Sequence, residues 1–379
     1  SKKSINVNDL ITERVNLNNY NKIYNNLSKQ ESIASILEYN IEKRIIHDHT
    51  INISIQNFDK SNAVIGIIGA GNFTSAMIMP VLNKLKSNVK YIASSKGLSG
   101  TILAKKYGIP LSTTNYKEII KDQEINAVII ATRHNNHASH VIEALSNKKH
   151  VFVEKPLALN YADLNEIQKL SLKVNKSVTV GFNRRFSPIS DTAKKAIGEN
   201  PGPINVIATM NAGSIPLDHW VQDMEIGGGR IIGEACHYID LISYLCSSEV
   251  KSVIMNSNGI NPKQNTDNAS IILRYKNGSN GVINYFSNGS KSYPKERIEI
   301  YNNGKNIVID NFRKINFYGF NLSNKSLKQD KGHFNQFKKW NDMLINGGAP
   351  IISFDSILNT SKAALACIDS LVKKTWIDI

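Results

Sequence analysis

With 379 residues, 41% hydrophobic and 20% charged, the chain has the length for two domains and the composition of a soluble globular protein. No apolar run reaches the roughly 18–20 residues that span a bilayer, and the opening Ser1-Lys2-Lys3-Ser4-Ile5-Asn6 lacks the apolar stretch of a secretory signal. The net charge of +15 is scattered in short pairs such as Lys105-Lys106, Lys148-Lys149 and Lys338-Lys339; this argues against nucleic acid as a partner and leaves a basic surface suited to phosphate-bearing small molecules.

Taken in chain order, Leu10-Ile11-Thr12-Glu13-Arg14-Val15 reads as a strand, Asn18–Ser28 as an amphipathic helix, and Ser32–Tyr39 as a strand or short helix. Residues 1–60 fit neither of the domains that follow. From about 62 to 182, Val64–Ile68, Val89–Ala93, Ala127–Ala131, His150–Val153 and Val178–Phe182 read as buried strands. They alternate with helical patterns at Thr74–Lys86, Leu98–Tyr107, Ala138–Asn147 and Ala162–Val174, which implies an α/β domain with a parallel, doubly wound sheet over 61–182. Beyond Arg185 the apolar period shifts toward two, in Ile204–Met210, Val250–Met255, Ala269–Tyr275, Gly281–Phe286, Arg297–Tyr301 and Asn306–Ile309. Turn signals Asn277-Gly278 and Asn303-Gly304 separate some of these segments. An α+β domain with a largely antiparallel sheet is expected over 183–379, with helices near 229–246, 332–346 and 355–374 covering one face. The other face would suit pairing into a dimer or tetramer.

The first strand runs straight into Gly69-Ala70-Gly71-Asn72-Phe73-Thr74 and then a helix. Gly69 permits a tight turn, Gly71 lets backbone approach a pyrophosphate, and the helix start offers free N–H groups to phosphates. In this strand–turn–helix context the pattern, with Thr74 where a third small residue is usual, points to a Rossmann dinucleotide site. The second strand ends Ala93-Ser94-Ser95-Lys96 without the acidic residue that binds the ribose of NAD. Ser94, Ser95 and Lys96 therefore favour NADP over NAD, unless Lys96 is a solvated loop residue.

The segment His150-Val151-Phe152-Val153-Glu154-Lys155-Pro156-Leu157-Ala158 closely resembles the Glu-Lys-Pro motif of the Gfo/Idh/MocA oxidoreductases. Gly227-Gly228-Gly229-Arg230, running on to Glu234, His237 and Asp240, resembles that family's Gly-Gly-Gly…His-x-x-Asp motif. The resemblance covers about 62–379. It implies that Lys155 lies near the nicotinamide and the reacting hydroxyl, with Glu154 beside it, and that His237 is the usual general acid/base. It also implies that Thr132 and His137 belong to a cofactor-side loop, in which Arg133-His134 replaces the common Pro-Asn. Where an Asp often stands four residues before the histidine, this chain has Gly233; Glu234 is acidic but displaced by one place. The phrases Gly181–Pro188 and Arg230–Asp240 are similar to bi-domain oxidoreductases, in which a zinc-type alcohol dehydrogenase precedes such a unit, often in polysaccharide gene clusters. Residues 9–39 resemble the tail of that first module.

These residues support hydride transfer between a nicotinamide cofactor and a sugar or nucleotide-sugar hydroxyl or ketone, in surface-polysaccharide synthesis. His237 would carry the proton and Lys155 orient the oxygen, or the roles are swapped. Asn183, Arg184 and Arg185 follow the last Rossmann strand, where they either bind an anionic substrate group or brace the domain junction. His219, Trp220, Asp223, Glu234 and Asp240 are further candidates for sugar contact, although Asp240 also suits a salt bridge. No metal site is expected: His47-Asp48-His49 reads as linker, and Cys236, Cys246 and Cys367 form no CxxC pair, as in a reducing cytoplasm. Glycoside hydrolysis with recycled NAD, or a non-catalytic module of a fused dehydrogenase, are the alternatives.

Overall fold

The computed structural model describes residues 6–26, 32–39, 49–55, 58 and 63–379. Ser28 of the first predicted helix, and His47 and Asp48 of the His47-Asp48-His49 run, lie outside the described residues. Residues up to Asp48 form a unit of their own. Within it β1 (Glu13–Asn16) and β2 (Ser35–Glu38) pair in parallel, Glu13 opposite Ser35, with α1 (Asn21–Asn26) in the connection. Its Val7, Leu10, Tyr20, Tyr24, Ile33 and Tyr39 are exposed, so this two-stranded fragment buries little of its own apolar surface.

The second unit, His49–Ile379, holds two sheets. The first contains β3 (Thr50–Asn52), β4 (Val64–Ile68), β5 (Asn88–Ala93), β6 (Leu111–Thr113), β7 (Ala127–Ile130), β8 (His150–Val153) and β9 (Val178–Val180). Their spatial order is β3-β6-β5-β4-β7-β8-β9, all parallel except β3 against β6. β4 and β7 are buried along their whole length, as expected of strands covered on both faces. On one face lie α2 (Met79–Lys84) and α3 (Leu98–Tyr107); on the other lie α4 (Tyr116–Lys121), α5 (His137–Ser146) and α6 (Tyr161–Ser171). The chain leaves β4 in one direction, toward β5 and β6, and returns to β7 on the opposite side. The crevice at that reversal, outside the strand C-termini, is where ligands bind in open α/β sheets.

The second sheet has nine strands: β10 (Asn205–Asn211), β11 (Val250–Ser257), β12 (Asn268–Tyr275), β13 (Asn280–Phe286), β14 (Glu296–Asn302), β15 (Lys305–Asp310), β16 (Lys314–Tyr318), β17 (Lys325–Ser326) and β18 (Ile377–Asp378). In space they run β17-β16-β15-β14-β10-β13-β12-β11-β18; only β10 with β13 is parallel. Asn303 and Gly304 both take positive φ, 47° and 71°, the mirror-image turn that suits a two-residue hairpin between β14 and β15. The inner face is apolar and packs on α8 (Cys236–Cys246) and α10 (Phe354–Lys373), while α7 (Pro188–Ile197) leads into β10.

The remaining helix, α9 (His333–Asn346), departs from the sequence expectation. It does not cover the second sheet. Its Phe337 and Trp340 are buried against Phe152 of β8, with ring centroids 4.4 and 5.4 Å away, and join Ile65 and Ile67 in the core of the first sheet. The helical period of 332–346 shows an apolar face but cannot say which sheet will bury it.

Candidate functional site

The Gly-rich turn after β4 opens a groove of about 860 Å³. Gly69 has φ +110°, and a Cβ there would lie 2.5 Å from the Ala131 carbonyl oxygen; around Gly71 a Cβ would meet nothing within 4 Å. The first position thus requires glycine for turn and packing, and the second stands open toward a ligand. Thr74 performs the closing role of a third glycine differently, its hydroxyl donating to Gly69 O at 2.7 Å. A π-helical turn, Thr74–Ile78, then leads into α2. Asn72, Phe73, Ser94, Ser95, Thr132 and Arg133 line this groove, joined by Ser99, Thr114 and a Tyr116–His140 ring pair 4.3 Å apart. The open backbone at Gly71, the free N–H groups of the turn and the length of the groove fit a dinucleotide. Among the described residues no carboxylate lines it, and Lys96 is exposed outside it.

Phe73, Ala131, Thr132 and Trp220 line both this groove and an adjoining cleft of about 410 Å³. Into the cleft project Glu154 and Lys155 from the end of β8, Asn183 and Arg184 after β9, His134 and His137 before and at the start of α5, and Glu234 and His237 around the start of α8. The approach to α8 is a second π-helical turn, Ile231–Ala235, a form often found where a helix serves a functional site. It turns the Gly233 carbonyl to the Lys155 ammonium, which donates to it at 2.9 Å. A Cβ on Gly233 would lie 2.9 Å from Cε1 of His134, so the His134 ring fills the space beside residue 233. His134 is held by donating from Nδ1 to Gly227 O at 2.7 Å and by edge contact with Trp220, centroids 4.8 Å apart. Glu234 turns instead to the Tyr285 hydroxyl, which donates to it at 2.6 Å, and to Arg230 at 3.5 Å.

Burial keeps the imidazoles of this site neutral. It lowers His134 to about 3, with Lys155 adding, and His137 to about 4, although His137 is braced against Pro156 O at 2.7 Å. His237 lies well below its usual range, through burial first and then Arg184 and Lys155, and its Nδ1 has no partner among the described residues. Glu154, half-buried at the cleft, is pushed up to about 7 by desolvation. The ionic opposites are spread beneath: Arg184 grips Glu296 through Nε and Nη2 at 3.0 and 2.6 Å, with Tyr238 donating to the same oxygen at 2.6 Å.

Several predicted contacts fall elsewhere. Arg184 lines the cleft, but its fork is taken up by Glu296; Arg185 grips buried Asp240 at 2.9 and 2.5 Å, away from the cleft. Both arginines follow β9, where adjacent protein carboxylates reach them first. Asp223 accepts from Glu225 and Ile226 N–H groups and caps the turn into the triple glycine, while His219 is exposed on the same loop. Of that loop only Trp220 reaches the cleft. Asn183 lines it and donates to Lys331 O at 2.7 Å. Residues that sequence reasoning missed are Lys295, Lys331 and His333, which enter from the start of β14 and the approach to α9. Among the described residues no group of histidine, cysteine or carboxylate side chains could hold a metal, and no helix is long and apolar enough to cross a membrane.

Residues 64–182 match the oxidoreductase family with an NAD-binding Rossmann fold, and residues 194–307 match the GFO/IDH/MocA C-terminal domain, together more than half of the chain. Among similar proteins, a myo-inositol 2-dehydrogenase of Thermotoga maritima is 30% identical over 220 residues, 56% of this chain and 64% of that protein, so the match spans just under two thirds of its length. The uncharacterized oxidoreductase YrbE of Bacillus subtilis is 26% identical over 74% of this chain and 82% of its own. A levoglucosan dehydrogenase solved with NADH and levoglucosan superposes with a TM-score of 0.73 at 23% identity, covering 84% of this chain and 99% of that one, a likeness of fold. With the Gly69–Gly71 turn, Lys155 and His237 arranged around adjoining cavities and both family regions matched in order, the chain belongs to the Gfo/Idh/MocA oxidoreductases.

Proposed function

We propose that the chain transfers hydride between NAD(P) and a hydroxyl or ketone carbon of a sugar or nucleotide sugar. The observation that carries this reading is that Lys155 and His237 line one cleft, which meets the dinucleotide groove at Phe73, Thr132 and Trp220. The nicotinamide, when bound, supplies or accepts the hydride. Lys155 uses one of its three N–H donors on Gly233 O and keeps the others for the alcohol oxygen. Neutral His237 takes the hydroxyl proton in oxidation, and the Lys155 ammonium stabilises negative charge gathering on the oxygen. Trp220 offers a ring face at the junction on which a sugar can pack. The ring-polyol names of the relatives, inositol and levoglucosan, agree with such a substrate.

We place the adenosine end among Ser94, Ser95, Ser99 and Thr114, where the lack of a carboxylate admits NADP as well as NAD and favours NADP. The Gly181–Pro188 and Arg230–Asp240 phrases support a role in surface-polysaccharide synthesis, in the cytoplasm. Residues 9–39 we read, on their sequence resemblance, as the tail of a zinc-type dehydrogenase module. Fluorescence titration with NADH and NADPH tests the first step. Replacing Lys155 or His237 by alanine is expected to lower turnover by about 10²-fold or more; unchanged turnover in either variant overturns its assignment.

A further inference from the structure

The cleft gathers more positive charge than proton handling at one hydroxyl requires. Arg184, Lys295 and Lys331 line it together with Lys155. Arg184 and Lys331 share a single carboxylate: Glu296 lies 2.6 Å from Arg184 Nη2 and 2.8 Å from Lys331 Nζ. Lys155 and Arg230 bracket Glu234, and Arg230 also stands 3.6 Å from Asp267. Lys295 makes no side-chain hydrogen bond or ion pair among the described residues, although it lies close enough to feel Lys331. Five cations therefore face Glu296, Glu234 and Asp267, and burial raises the carboxyl of the other acid in the cleft, Glu154, so that it offers less than a full charge at neutral pH. The phosphates of a dinucleotide do not resolve the excess, because neither Lys295 nor Lys331 lines the groove that would hold them.

A concave, partly desolvated wall with an excess of positive charge focuses its field on whatever enters. The same field is felt at His237, where after burial the leading charges are Arg184 and Lys155, with Lys331 also present and no carboxylate among them. A negative group in the cleft would ease protonation of that imidazole. Asn183 holds the Lys331 backbone carbonyl and Glu296 its ammonium, whereas the Lys295 side chain is held by no hydrogen bond or ion pair among the described residues.

We infer that the sugar accepted by this cleft carries an anionic group, a carboxylate or a phosphate ester, seated between Lys295 and Lys331. This rests on the oxidoreductase reading of the same cleft. It is tested on NADH-loaded protein, using bound-cofactor fluorescence to titrate glucuronate, galacturonate and glucose 6-phosphate beside glucose and galactose. At least one acid is expected to bind about tenfold or more tighter than its neutral parent, the equivalent of roughly 1.4 kcal/mol, with the advantage shrinking as salt is added. Lys295→Gln and Lys331→Gln should each remove most of that advantage while NADH affinity is kept. Preference for the uronates marks a carboxylate, and preference for glucose 6-phosphate marks a phosphate ester. Acids that bind no tighter than neutral sugars, or a preference intact in both variants, overturn the inference. Lys331→Gln also disturbs Glu296; if it is unstable, Lys295→Gln at its exposed position decides. Failure to bind NADH at all fells the oxidoreductase reading itself, and is seen separately before any sugar is added.

Discussion

At position 233 any side chain would begin 2.9 Å from the His134 ring, so the two residues are fitted to each other. Gly233→Ala is expected to push His134 aside, tilt the carbonyl that receives Lys155, and cut kcat/KM about tenfold. In the double variant with His134→Ala the methyl has room, so part of the loss should return. A double-mutant cycle on kcat/KM should therefore show coupling of about 1 kcal/mol or more; strictly additive losses would count against the pairing. Lys155 and His237 were legible in the sequence because a short motif surrounds each. Lys295 and Lys331 were not, since they meet only after β14 and the approach to α9 have been brought together, and neither belongs to a periodic pattern. The arginines were misleading for the opposite reason. Their position after β9 was readable, but the partners that occupy them, Glu296 and Asp240, lie far along the chain.

Among elements, most of those with a clear apolar run or period were legible in the sequence, even the short β9, whereas α7, β3, β6 and α4 were not. β3 and β6 have three residues each and α4 has six, too few to display a period. The parallel pairing of β10 with β13 inside an otherwise antiparallel sheet likewise leaves no local trace. Where β14 begins, Glu296 is fully buried between Arg184 and Lys331, which hold its carboxyl near 2 despite the opposing effect of burial. Glu296→Gln leaves two cations with no carboxylate and is expected to destabilise by about 3–5 kcal/mol, visible as a lower urea midpoint. The wild-type contribution is complete above the ordinary carboxylate range and fades as pH falls from about 4.5 toward 2, because the unfolded chain then binds the proton more readily. A Glu296→Gln protein as stable as wild type at pH 7 would show that the pair does not hold β14 in place.

For the molecule as a whole, acid should be harmful earlier than carboxylates alone would dictate. Burial depresses His134 to about 3, and His137, His150 and His333 to about 4, so each is neutral in the fold and protonated in the unfolded chain below about 6.5. Their shared contribution is present above 6.5 and drains away as pH falls toward 4; Glu154, raised to about 7, and Asp240, raised by burial, work in the opposite direction. Tm is expected to drop by about 4 °C or more between pH 7 and pH 5, roughly the effect of 3 kcal/mol in a chain of this size; a flat profile in differential scanning would refute this. On the open face of the second sheet, register places Ile254, Ile272, Val282 and Ile207 in one lateral row. We expect copies of the chain to pair there, so that Ile272→Lys lowers the mass measured by light scattering. Finally, the seating of Phe337 and Trp340 against Phe152 has a consequence for the order in which the protein can be made. On the ribosome the nucleotide-binding sheet emerges early, yet the part of its α2–α3 face around Phe152 stays uncovered until everything from Gly181 to Gly332 has followed. A message cut short before α9 thus leaves the first sheet with an apolar patch around Phe152 for chaperones and proteases to find.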